Sequence, residues 1–514
     1  MMESSTQKIV YPDRVGCTPI ISVRNLSFSF RNSARQALNN LNLEIRQGEF
    51  VVITGLSGCG KSTLAMAMGG YIPHVVEGEM SGAVYIKGKD TRMVDLSDLA
   101  ATISLCQQDP ESQLCTLSVY DEVAFGPENL VLPADEVARR VHDSLAEVNA
   151  SHLLHRHVTE LSGGEKQRIA IASMLAMKPN VLVLDEPMSS LDPDSAAEVL
   201  RAIENLTADR HITIIVLEHR LDRLARLADR LIVMDSGQIL LDGKPQEIYP
   251  VYRQMLSSPS SGIDMLRSAM KGGGARIQVD HLCFSYGSRE ILHDISFSAF
   301  SGEFIGIIGP NGSGKTTFLT CLTGLVHPGS GYLQVAEVSV MKAKTSDVAR
   351  KVGFVFQNPN HQIFEKTVIE EMTFACSNFK IDDAKTLRYT QDVLQRYGLA
   401  TYARSHPLRL SYGEKRRLNL GSVLPHDPDV IILDEPFIGQ DAANCSRMIN
   451  DLISLKAAGK TILIVSHDID IIFRYCDRIV MFDRGRIVVD DAPEAAVEKI
   501  RAAGKPNYLP GIDI

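Results

Sequence analysis

The sequence carries one glycine-rich pattern twice, and this repeat constrains the fold more than any other feature. Residues 55–62 read GLSGCGKS and residues 309–316 read GPNGSGKT, so both fit G-x-x-x-x-G-K-[ST]. Each copy follows a short apolar run and precedes an apolar segment, which predicts a strand, a loop and a helix in that order. Lys61 and Lys315 are 254 positions apart in a chain of 514 residues, which predicts a duplicated domain of about half the chain.

The residue types in this pattern suit the binding of nucleotide phosphates. The glycines let backbone N–H groups turn inward around a phosphate, and the N-terminus of the following helix adds positive potential. The lysine reaches the β- and γ-phosphates, and the hydroxyl that follows it can ligate Mg²⁺. The residues that we expect to hold the nucleotide are Gly55, Ser57, Gly58, Gly60, Lys61, Ser62 and Thr63 in the first copy and Gly309, Asn311, Gly312, Ser313, Gly314, Lys315, Thr316 and Thr317 in the second.

The composition excludes several classes of protein. Hydrophobic residues make up 45% of the chain and charged residues 22%, which is ordinary for a globular protein with enough apolar material for two cores. A net charge of −9 argues against broad electrostatic binding of nucleic acid. Uninterrupted apolar runs of about 18 residues and a signal-peptide core are absent, so we expect a cytosolic protein that does not span a bilayer. Nine cysteines without a C-x-x-C pair predict reduced thiols.

Turn-rich segments separate the two repeats. Residues 257–262 read SSPSSG and residues 271–274 read KGGG, a composition typical of a flexible linker. The bounds that we predict from this are an N-terminal tail at 1–19, a first domain at 20–255, a linker at 256–275, a second domain at 276–500 and a C-terminal tail at 501–514.

Two apolar segments end in paired acids. Residues 181–187 read VLVLDEP and residues 430–436 read VIILDEP. A single copy would fit a buried parallel strand with a solvated end equally well, but two copies at matching positions favour a site. A carboxylate at the end of such a strand can hold Mg²⁺ through water, and the next one can orient or deprotonate the attacking water in phosphoryl transfer. We therefore assign Asp185 and Asp434 to the metal, and Glu186 and Glu435 to the water.

A third motif makes the pattern specific. Residues 161–165 read LSGGE before an apolar segment, with Ser162 placed 23 residues before Asp185. This arrangement resembles the signature of ABC ATPases. The second half keeps the spacing between Ser411 and Asp434, but its residues 410–414 read LSYGE. The resemblance covers about residues 20 to 490.

The resemblance implies that the signature of each half closes over ATP held by the phosphate loop of the other. The signature residues that it assigns to nucleotide binding are Ser162, Gly163 and Gly164 in the first half and Ser411 and Gly413 in the second. Tyr412 replaces a signature glycine, so the site of Lys61 is the doubtful one, whereas the site of Lys315 has its full set. The aspartate loops diverge likewise, because residues 189–192 read SSLD and residues 438–441 read IGQD.

Six further residues take roles from the same resemblance. His219 and His467 lie 34 and 33 residues after the metal aspartates, where the family places a switch histidine that contacts the γ-phosphate; a polar strand end is the plainer interpretation. The others are Phe30 and Tyr286, which match an aromatic that stacks on adenine, and Gln108 and Gln357, which match the glutamine loop that senses Mg²⁺ and the membrane partner. Core packing for Phe30 and a polar turn for the glutamines remain open.

The glutamine loops point to one subfamily. Residues 108–113 read QDPESQ and residues 357–362 read QNPNHQ, which resembles the Q-[ND]-P-x-x-Q form of the ATPases of energy-coupling factor importers. Residues 72–74 and 218–220 also resemble the fused, two-domain version of that subfamily.

This resemblance implies an α/β protein with two tandem ABC ATPase domains, each with a parallel-sheet core, an antiparallel β subdomain and a helical subdomain. It implies ATP and Mg²⁺ as ligands and pairing of the two domains. It also implies a peripheral position at the cytoplasmic face of the cell membrane, with a transmembrane coupling protein and a small membrane protein that captures a vitamin or a transition-metal ion as partners.

Three other families of tandem or related ATPases compete with this interpretation. Fused sugar importers have a similar length, but the form of the glutamine loop argues against them. Translation factors that act on ribosomes resemble one another in a long charged linker, whereas this linker is short and rich in Ser and Gly. DNA-repair members of the family would need cysteine pairs of the zinc-binding type, and the nine cysteines of this sequence include no C-x-x-C pair.

Overall fold

The chain forms two compact units, the first chiefly from residues before 260 and the second chiefly from residue 260 onward. The computed structural model describes residues 19–31, 36–56, 58–189, 191–208, 212–219, 221, 224–256, 274–440 and 442–510. Most of the predicted N-terminal tail and linker, and the last four residues of the predicted C-terminal tail, lie outside these residues.

The first unit contains two sheets. Its strands are β1 (Ile21–Phe30), β2 (Gln36–Ile45), β3 (Phe50–Gly55), β4 (Gly78–Ile86), β5 (Lys89–Asp90), β6 (Ile103–Cys106), β7 (Val181–Asp185), β8 (Thr213–Leu217), β9 (Arg230–Asp235) and β10 (Gln238–Gly243). One sheet is antiparallel, in the order β2-β1-β4-β5. The other has the order β10-β9-β3-β8-β7-β6 and is parallel except for its edge strand β10.

Helices surround these sheets. They are α1 (Lys61–Met68), α2 (Tyr71–His74), α3 (Leu96–Ala100), α4 (Val119–Asn129), α5 (Ala134–Glu147), α6 (Gly163–Ala176), α7 (Pro193–Ala208), α8 (Leu224–Leu227) and α9 (Pro245–Leu256). Helices α4, α5 and α6 lie between β6 and β7 in the chain and pack on one another. Helix α5 is amphipathic, and its apolar face buries Val137, Val141 and Leu145, which recur at helical spacing. These three helices form the helical subdomain.

The second unit repeats both sheets. Its strands are β11 (Ala275–Tyr286), β12 (Arg289–Phe300), β13 (Phe304–Ile308), β14 (Ser330–Val335), β15 (Val338–Ser339), β16 (Val352–Val355), β17 (Val430–Asp434), β18 (Thr461–Val465), β19 (Arg478–Asp483) and β20 (Arg486–Asp491). The antiparallel sheet has the order β12-β11-β14-β15, and the larger sheet has the order β16-β17-β18-β13-β19-β20.

The helices of the second unit follow the same plan. They are α10 (Lys315–Leu322), α11 (Thr345–Ala349), α12 (Val368–Phe379), α13 (Asp383–Arg396), α14 (Tyr412–Val423), α15 (Ala442–Ala457), α16 (Ile469–Tyr475) and α17 (Pro493–Ala502). A counterpart of the short helix α2 does not occur between α10 and β14, a part of the chain that is fully described. Residues 501–510, which the sequence assigned to the C-terminal tail, pack on the second core because Tyr508 is fully buried there.

The parallel strands explain how functional residues from distant positions meet. Every residue of β7, β8 and β3 is buried, as expected for strands that helices cover on both faces. The carboxyl ends of adjacent parallel strands lie at one edge of a sheet, where ligands of such folds bind. In each unit this edge carries the phosphate loop, the glutamine loop, the acidic pair and the histidine.

The predicted fold class is confirmed: each unit has an α/β core, an antiparallel β subdomain and a helical subdomain. One detail differs, because the core sheet is mixed, with an antiparallel strand at one edge. Within the described residues no helix has the length and hydrophobicity that a membrane span requires.

Candidate nucleotide sites

The phosphate loops depend on glycine for two different reasons. Gly309 has φ +138°, and a Cβ atom there would lie 2.1 Å from the main-chain oxygen of Phe482, so only glycine fits. Gly312 has φ +74°, but a Cβ atom there would meet nothing within 4 Å. The same contrast holds between Gly55 and Gly58 in the first unit. The outer part of each loop therefore borders open space, as a cradle for a ligand requires.

Both loop lysines point into their own loops. Nζ of Lys315 donates to the carbonyl oxygens of Gly309 at 2.7 Å and Pro310 at 2.8 Å. Nζ of Lys61 donates to the carbonyl oxygen of Gly55 at 3.0 Å. The side chains are buried, and burial lowers the pKa of Lys315 against the opposing effect of the nearby carboxylate of Glu435. A buried amine of this kind is suited to meet a phosphate oxygen.

In the first unit the predicted catalytic residues form one connected cluster. Nε2 of His219 lies 2.7 Å from Oε1 of Glu186, and Nζ of Lys61 lies 3.2 Å from the same ring nitrogen. The amide of Gln108 donates to Oε2 of Glu186 at 2.9 Å. The hydroxyl of Ser62 is hydrogen-bonded to Asp185. The structure therefore brings the loop, the acidic pair, the histidine and the glutamine together.

The pKa values of the two acids in this cluster shift in opposite directions. Burial raises the pKa of Asp185 to about 6, although the hydrogen bond from Ser62 opposes the change. Burial also acts on Glu186, but the hydrogen bond from His219 and the positive charge of Lys61 outweigh it, and the pKa of Glu186 falls. Environments that separate the pKa values of neighbouring acids are typical of sites with two chemical roles.

The second unit arranges its residues similarly, with a different histidine contact. Oγ1 of Thr316 donates to Oδ2 of Asp434 at 3.0 Å. The main-chain N–H of His467 donates to Oε2 of Glu435 at 3.1 Å, and Nε2 of His467 lies 3.3 Å from Oε1 of Glu435. Burial raises the pKa of Asp434, while the hydrogen bond from Thr316 opposes this change.

The acidic residues themselves have an unusual backbone. Glu186 has φ +48° and Glu435 has φ +52°, which lie in the left-handed region that residues other than glycine rarely adopt. The main-chain N–H of Glu186 donates to Leu217 O at 2.8 Å, and that of Glu435 donates to Val465 O at 2.9 Å. Each acid is thus anchored to the neighbouring strand, with its side chain turned toward the edge of the sheet.

The signature serines have a structural role in both units. Ser162 and Ser411 each cap a helix through a capping box with the glutamate three positions later. Gly164 is needed for packing, because a Cβ atom there would lie 2.5 Å from Cβ of Ser195. Gly413 is equally constrained by a main-chain oxygen at 2.6 Å. A Cβ atom at Gly163 would meet its nearest neighbour at an ordinary 3.5 Å.

The second glutamine of each glutamine-loop motif fixes the loop. In the first unit Gln113 accepts from the main-chain N–H of Gln107 at 2.8 Å and donates to Leu105 O at 3.0 Å. In the second, Gln362 accepts from the N–H of Phe356 at 3.4 Å. The acid or amide after the first glutamine caps the intervening turn. Each residue type in this motif therefore shapes the loop that presents the first glutamine.

The first glutamines differ between the units. The side chain of Gln108 contacts Glu186. The side chain of Gln357 is exposed, and it is the main-chain oxygen of this residue that accepts from the hydroxyl of Tyr412, at 3.4 Å.

The predicted adenine-stacking aromatics are both accessible. The side chain of Phe30 is 37% exposed and that of Tyr286 is 53% exposed, and each makes an edge-to-face contact with the aromatic residue two positions earlier. Core packing, the alternative for Phe30, does not fit this exposure.

The remaining predicted residues of the phosphate loops differ in exposure. Thr63 and Ser313 are buried, Thr317 is half-buried, and Asn311 is exposed in its loop. Gly60 and Gly314 have φ +105° and +100° and precede the first residue of α1 and α10. Ser57 of the first phosphate loop lies outside the described residues, as do Ser190 and Asp441 of the aspartate loops.

The sequence interpretation assigned no individual role to two buried charged residues. Glu218 is 1% exposed, and its carboxylate accepts from the main-chain N–H of His219 at 2.8 Å. Arg416 is fully buried, and its guanidinium lies next to the acidic strand β17. The signal for Arg416 was its place in the signature helix, where the first half has the uncharged Gln167.

The residues present fit a metal-bound nucleotide. Oδ1 of Asp185 and Oγ of Ser313 are buried and have no hydrogen-bond partner among the described residues, which is costly unless a ligand satisfies them. A carboxylate next to a hydroxyl, as in Asp434 and Thr316, is the type of oxygen donor that Mg²⁺ prefers.

Fold and site together define a P-loop nucleotide-binding protein with two repeated ATPase units. A family model described as "ABC transporter" matches residues 38–189 and 292–438. The chain belongs to this family. It is an ATP-binding subunit of a transporter, an ATPase coupled to transport.

Curated relatives match nearly the whole chain. A putative ABC transporter ATP-binding protein of Methanosarcina mazei is 34% identical, covering 96% of this chain and 92% of its own length. A protein of Bacillus subtilis named putative HMP/thiamine import ATP-binding protein YkoD is 33% identical, covering 92% of each chain. A solved structure of cbiO1 from Clostridium perfringens, described as part of the ABC transporter complex cbiONQ, is 34% identical over 48% of this chain and 98% of that chain, with a TM-score of 0.41.

Proposed function

We propose that this chain is the ATP-hydrolysing subunit of an importer of the energy-coupling factor type, which drives uptake of a vitamin or a transition-metal ion through separate membrane subunits. The observation that carries the proposal is the glutamine loop. Both units have the Q-[ND]-P-x-x-Q form, and in both the last glutamine returns to the backbone next to the first. The name of the Bacillus subtilis relative, which refers to HMP/thiamine import, supports a vitamin as the class of substrate.

The proposal assigns ATP and Mg²⁺ to two sites. Lys61 and Lys315 would contact the β- and γ-phosphates, and the hydroxyls that follow them would ligate Mg²⁺ together with Gln108, Gln357, Asp185 and Asp434. Mg²⁺ would supply charge neutralisation at the phosphate oxygens. Glu186 and Glu435 would orient and deprotonate the attacking water, and the histidines would contact the γ-phosphate.

The signatures and the domain bounds belong to the same proposal. By family resemblance, each phosphate loop pairs with the signature of the other domain, with domains at residues 20–255 and 276–500. The main hydrolytic site would then combine Lys315 with Ser162, Gly163 and Gly164. The partners would be a transmembrane coupling protein and a small capture protein, with this chain peripheral at the cytoplasmic face of the membrane.

The test is to identify what binds the chain in its own cells. The tagged chain is purified from gently solubilised membranes, with the tag alone as control. Co-purification of a multi-span membrane protein and a second small membrane protein is the expected result. Ribosomal proteins without membrane proteins would overturn the importer and favour a translation factor.

The class of substrate is tested by uptake. Cells that lack the chain should lose uptake of one vitamin or metal ion, and the intact chain should restore it. A chain with both Lys61→Ala and Lys315→Ala is the matched control, because it lacks the two phosphate contacts and should not restore uptake. Restoration of a sugar instead would contradict the assignment to this importer type.

A further inference from the structure

The signature helix of the second unit contains a buried cation at a position that is neutral in the first unit. Arg416 on α14 is 0% exposed. Its position corresponds to Gln167 on α6, since both lie five residues after the signature serine. Gln167 is also buried and donates to Sγ of Cys106 at 3.6 Å. The fold therefore accepts a neutral residue here, and the costly burial of a guanidinium calls for a reason.

The guanidinium joins two segments that carry functional residues. Nη1 of Arg416 donates to the main-chain oxygen of Asp434 at 3.2 Å and to that of Phe356 at 3.4 Å. Asp434 ends the strand that carries the acidic pair, and Phe356 directly precedes Gln357 of the glutamine loop. A single side chain thus holds the end of the acidic strand against the start of the glutamine loop.

The tyrosine of the degenerate signature completes this arrangement. Nη2 of Arg416 donates to the hydroxyl of Tyr412 at 2.9 Å, and the guanidinium carbon lies 5.2 Å from the centre of the Tyr412 ring. The same hydroxyl donates to the main-chain oxygen of Gln357 at 3.4 Å. Tyr412 is 44% exposed, so it links the surface of the signature to a buried cation.

The neighbouring aspartate loop accommodates the tyrosine. A Cβ atom at Gly439 would lie 3.1 Å from Cδ1 of Tyr412, so a larger residue would crowd the ring. The first half has Ser190 at the corresponding position and Gly163 in place of the tyrosine. The differences between the halves at these positions therefore form one connected set rather than independent losses.

We propose that Tyr412 and Arg416 are positioning residues that connect the signature of the second unit to its own metal-binding strand. This inference rests on the proposed function, in which Asp434 and Gln357 ligate the Mg²⁺ of the nucleotide held by Lys315. The signature tyrosine and the buried arginine would then fix where these two ligands lie. The tyrosine has a role within its own unit and is not only a departure from the signature.

The experiment measures the free Mg²⁺ concentration that gives half-maximal ATP hydrolysis by the full chain at saturating ATP. A Glu186→Gln background silences the site of Lys61, so that hydrolysis reports on Asp434. Arg416→Gln, which installs the residue of the first half, should raise this concentration about tenfold, the scale for residues that orient metal ligands. Tyr412→Phe, which removes only the hydroxyl, should raise it about threefold. Tyr332→Phe, at an exposed tyrosine of β14, is the matched control and should leave it unchanged.

The combination of variants distinguishes a link from two separate effects. Tyr412→Phe should have a clearly smaller effect in the Arg416→Gln background, because the hydroxyl has then lost its contact with the guanidinium and keeps only the longer one with the main-chain oxygen of Gln357. Equal effects of Tyr412→Phe in both backgrounds, or loss of thermal stability without a change in the Mg²⁺ requirement, would overturn the proposal. Arg416→Lys keeps the charge but lacks the planar guanidinium, whose second nitrogen donates to Tyr412. It replaces Arg416→Gln if that variant does not fold and should also raise the Mg²⁺ requirement. The assay contains no membrane partner, so failure of the importer assignment would leave these results standing.

Discussion

Replacing Glu435 by glutamine tests which site supplies most of the ATP turnover. The side chain is 4% exposed and makes its contacts with His467 through two oxygens, at 3.1 and 3.3 Å. Glutamine has the same shape and keeps an oxygen acceptor for the main-chain N–H, so the free energy of unfolding should change by only about 1 kcal/mol. The lost general base should slow its own site by about 10² to 10⁴-fold. If the site of Lys315 is the main one, phosphate release by the full chain at saturating ATP and Mg²⁺ should fall at least about tenfold.

Two matched variants complete this test. Glu186→Gln removes the same group from the site of Lys61 and should lower turnover less than about twofold. Glu498→Gln, at an exposed position of α17, makes the same chemical change away from the site and should have no effect. Retention of more than about half the rate in Glu435→Gln would refute the assignment, because loss of a catalytic group in the main site normally costs far more.

The remaining predictions concern stability. Burial raises the pKa of Asp185 to about 6, above its value of about 4 in the unfolded chain. Because the folded chain therefore holds this proton more tightly than the unfolded chain, the free energy of unfolding should fall by about 2 to 3 kcal/mol as the pH rises from 4 to 6. In metal-free urea titrations, Asp185→Asn should lack this part of the pH dependence. Gly309→Ala should destabilise by more than about 3 kcal/mol and abolish binding of a fluorescent ATP analogue, whereas Gly312→Ala should cost about 1 kcal/mol; equal effects would contradict the geometry. Arg478→Ala removes a two-pronged ion pair with Asp490 and should lower the stability of the second unit by about 2 to 3 kcal/mol in urea unfolding, and a change within error would show that the pair contributes little.

Local patterns were sufficient to predict the parts of the site that lie next to strand ends. Residues 21–30 alternate apolar and polar side chains with one slip at Asn25-Leu26, a pattern that predicts a strand with an irregularity at that point. The structure has a register shift between Val23 and Leu26, with φ +47° at Asn25. The apolar runs before Asp185 and Asp434 predicted buried parallel strands, which is confirmed. These features follow from neighbouring residues alone, which is why a single sequence reveals them.

Features that depend on three-dimensional neighbours could not be predicted in this way. Arg416 looked like an ordinary charged residue of a helix, because its burial depends on strands that are distant in the sequence. The mixed character of the core sheet depends on how β20 returns beside β19, and no periodicity encodes that direction. The accessibility of Phe30 was likewise undetermined, since an aromatic at a strand end fits either a core or a surface.

The short helix α2 lies in the part of the chain where the two copies differ in length. The copies are offset by 254 positions at the loop lysines but by 249 at the glutamine loops, the signature serines and the metal aspartates. The five additional residues of the first copy thus fall between α1 and the glutamine loop, the stretch that contains α2 and β4. From the glutamine loop to the acidic strand the length has not changed. There the signature helix packs on the glutamine loop and on the strand before it, and that strand pairs with the acidic strand. The difference in length therefore predicts where the second unit tolerates an insertion. A fluorescent label or epitope inserted between α10 and β14 should leave ATP hydrolysis intact, whereas one inserted between β16 and β17 should not.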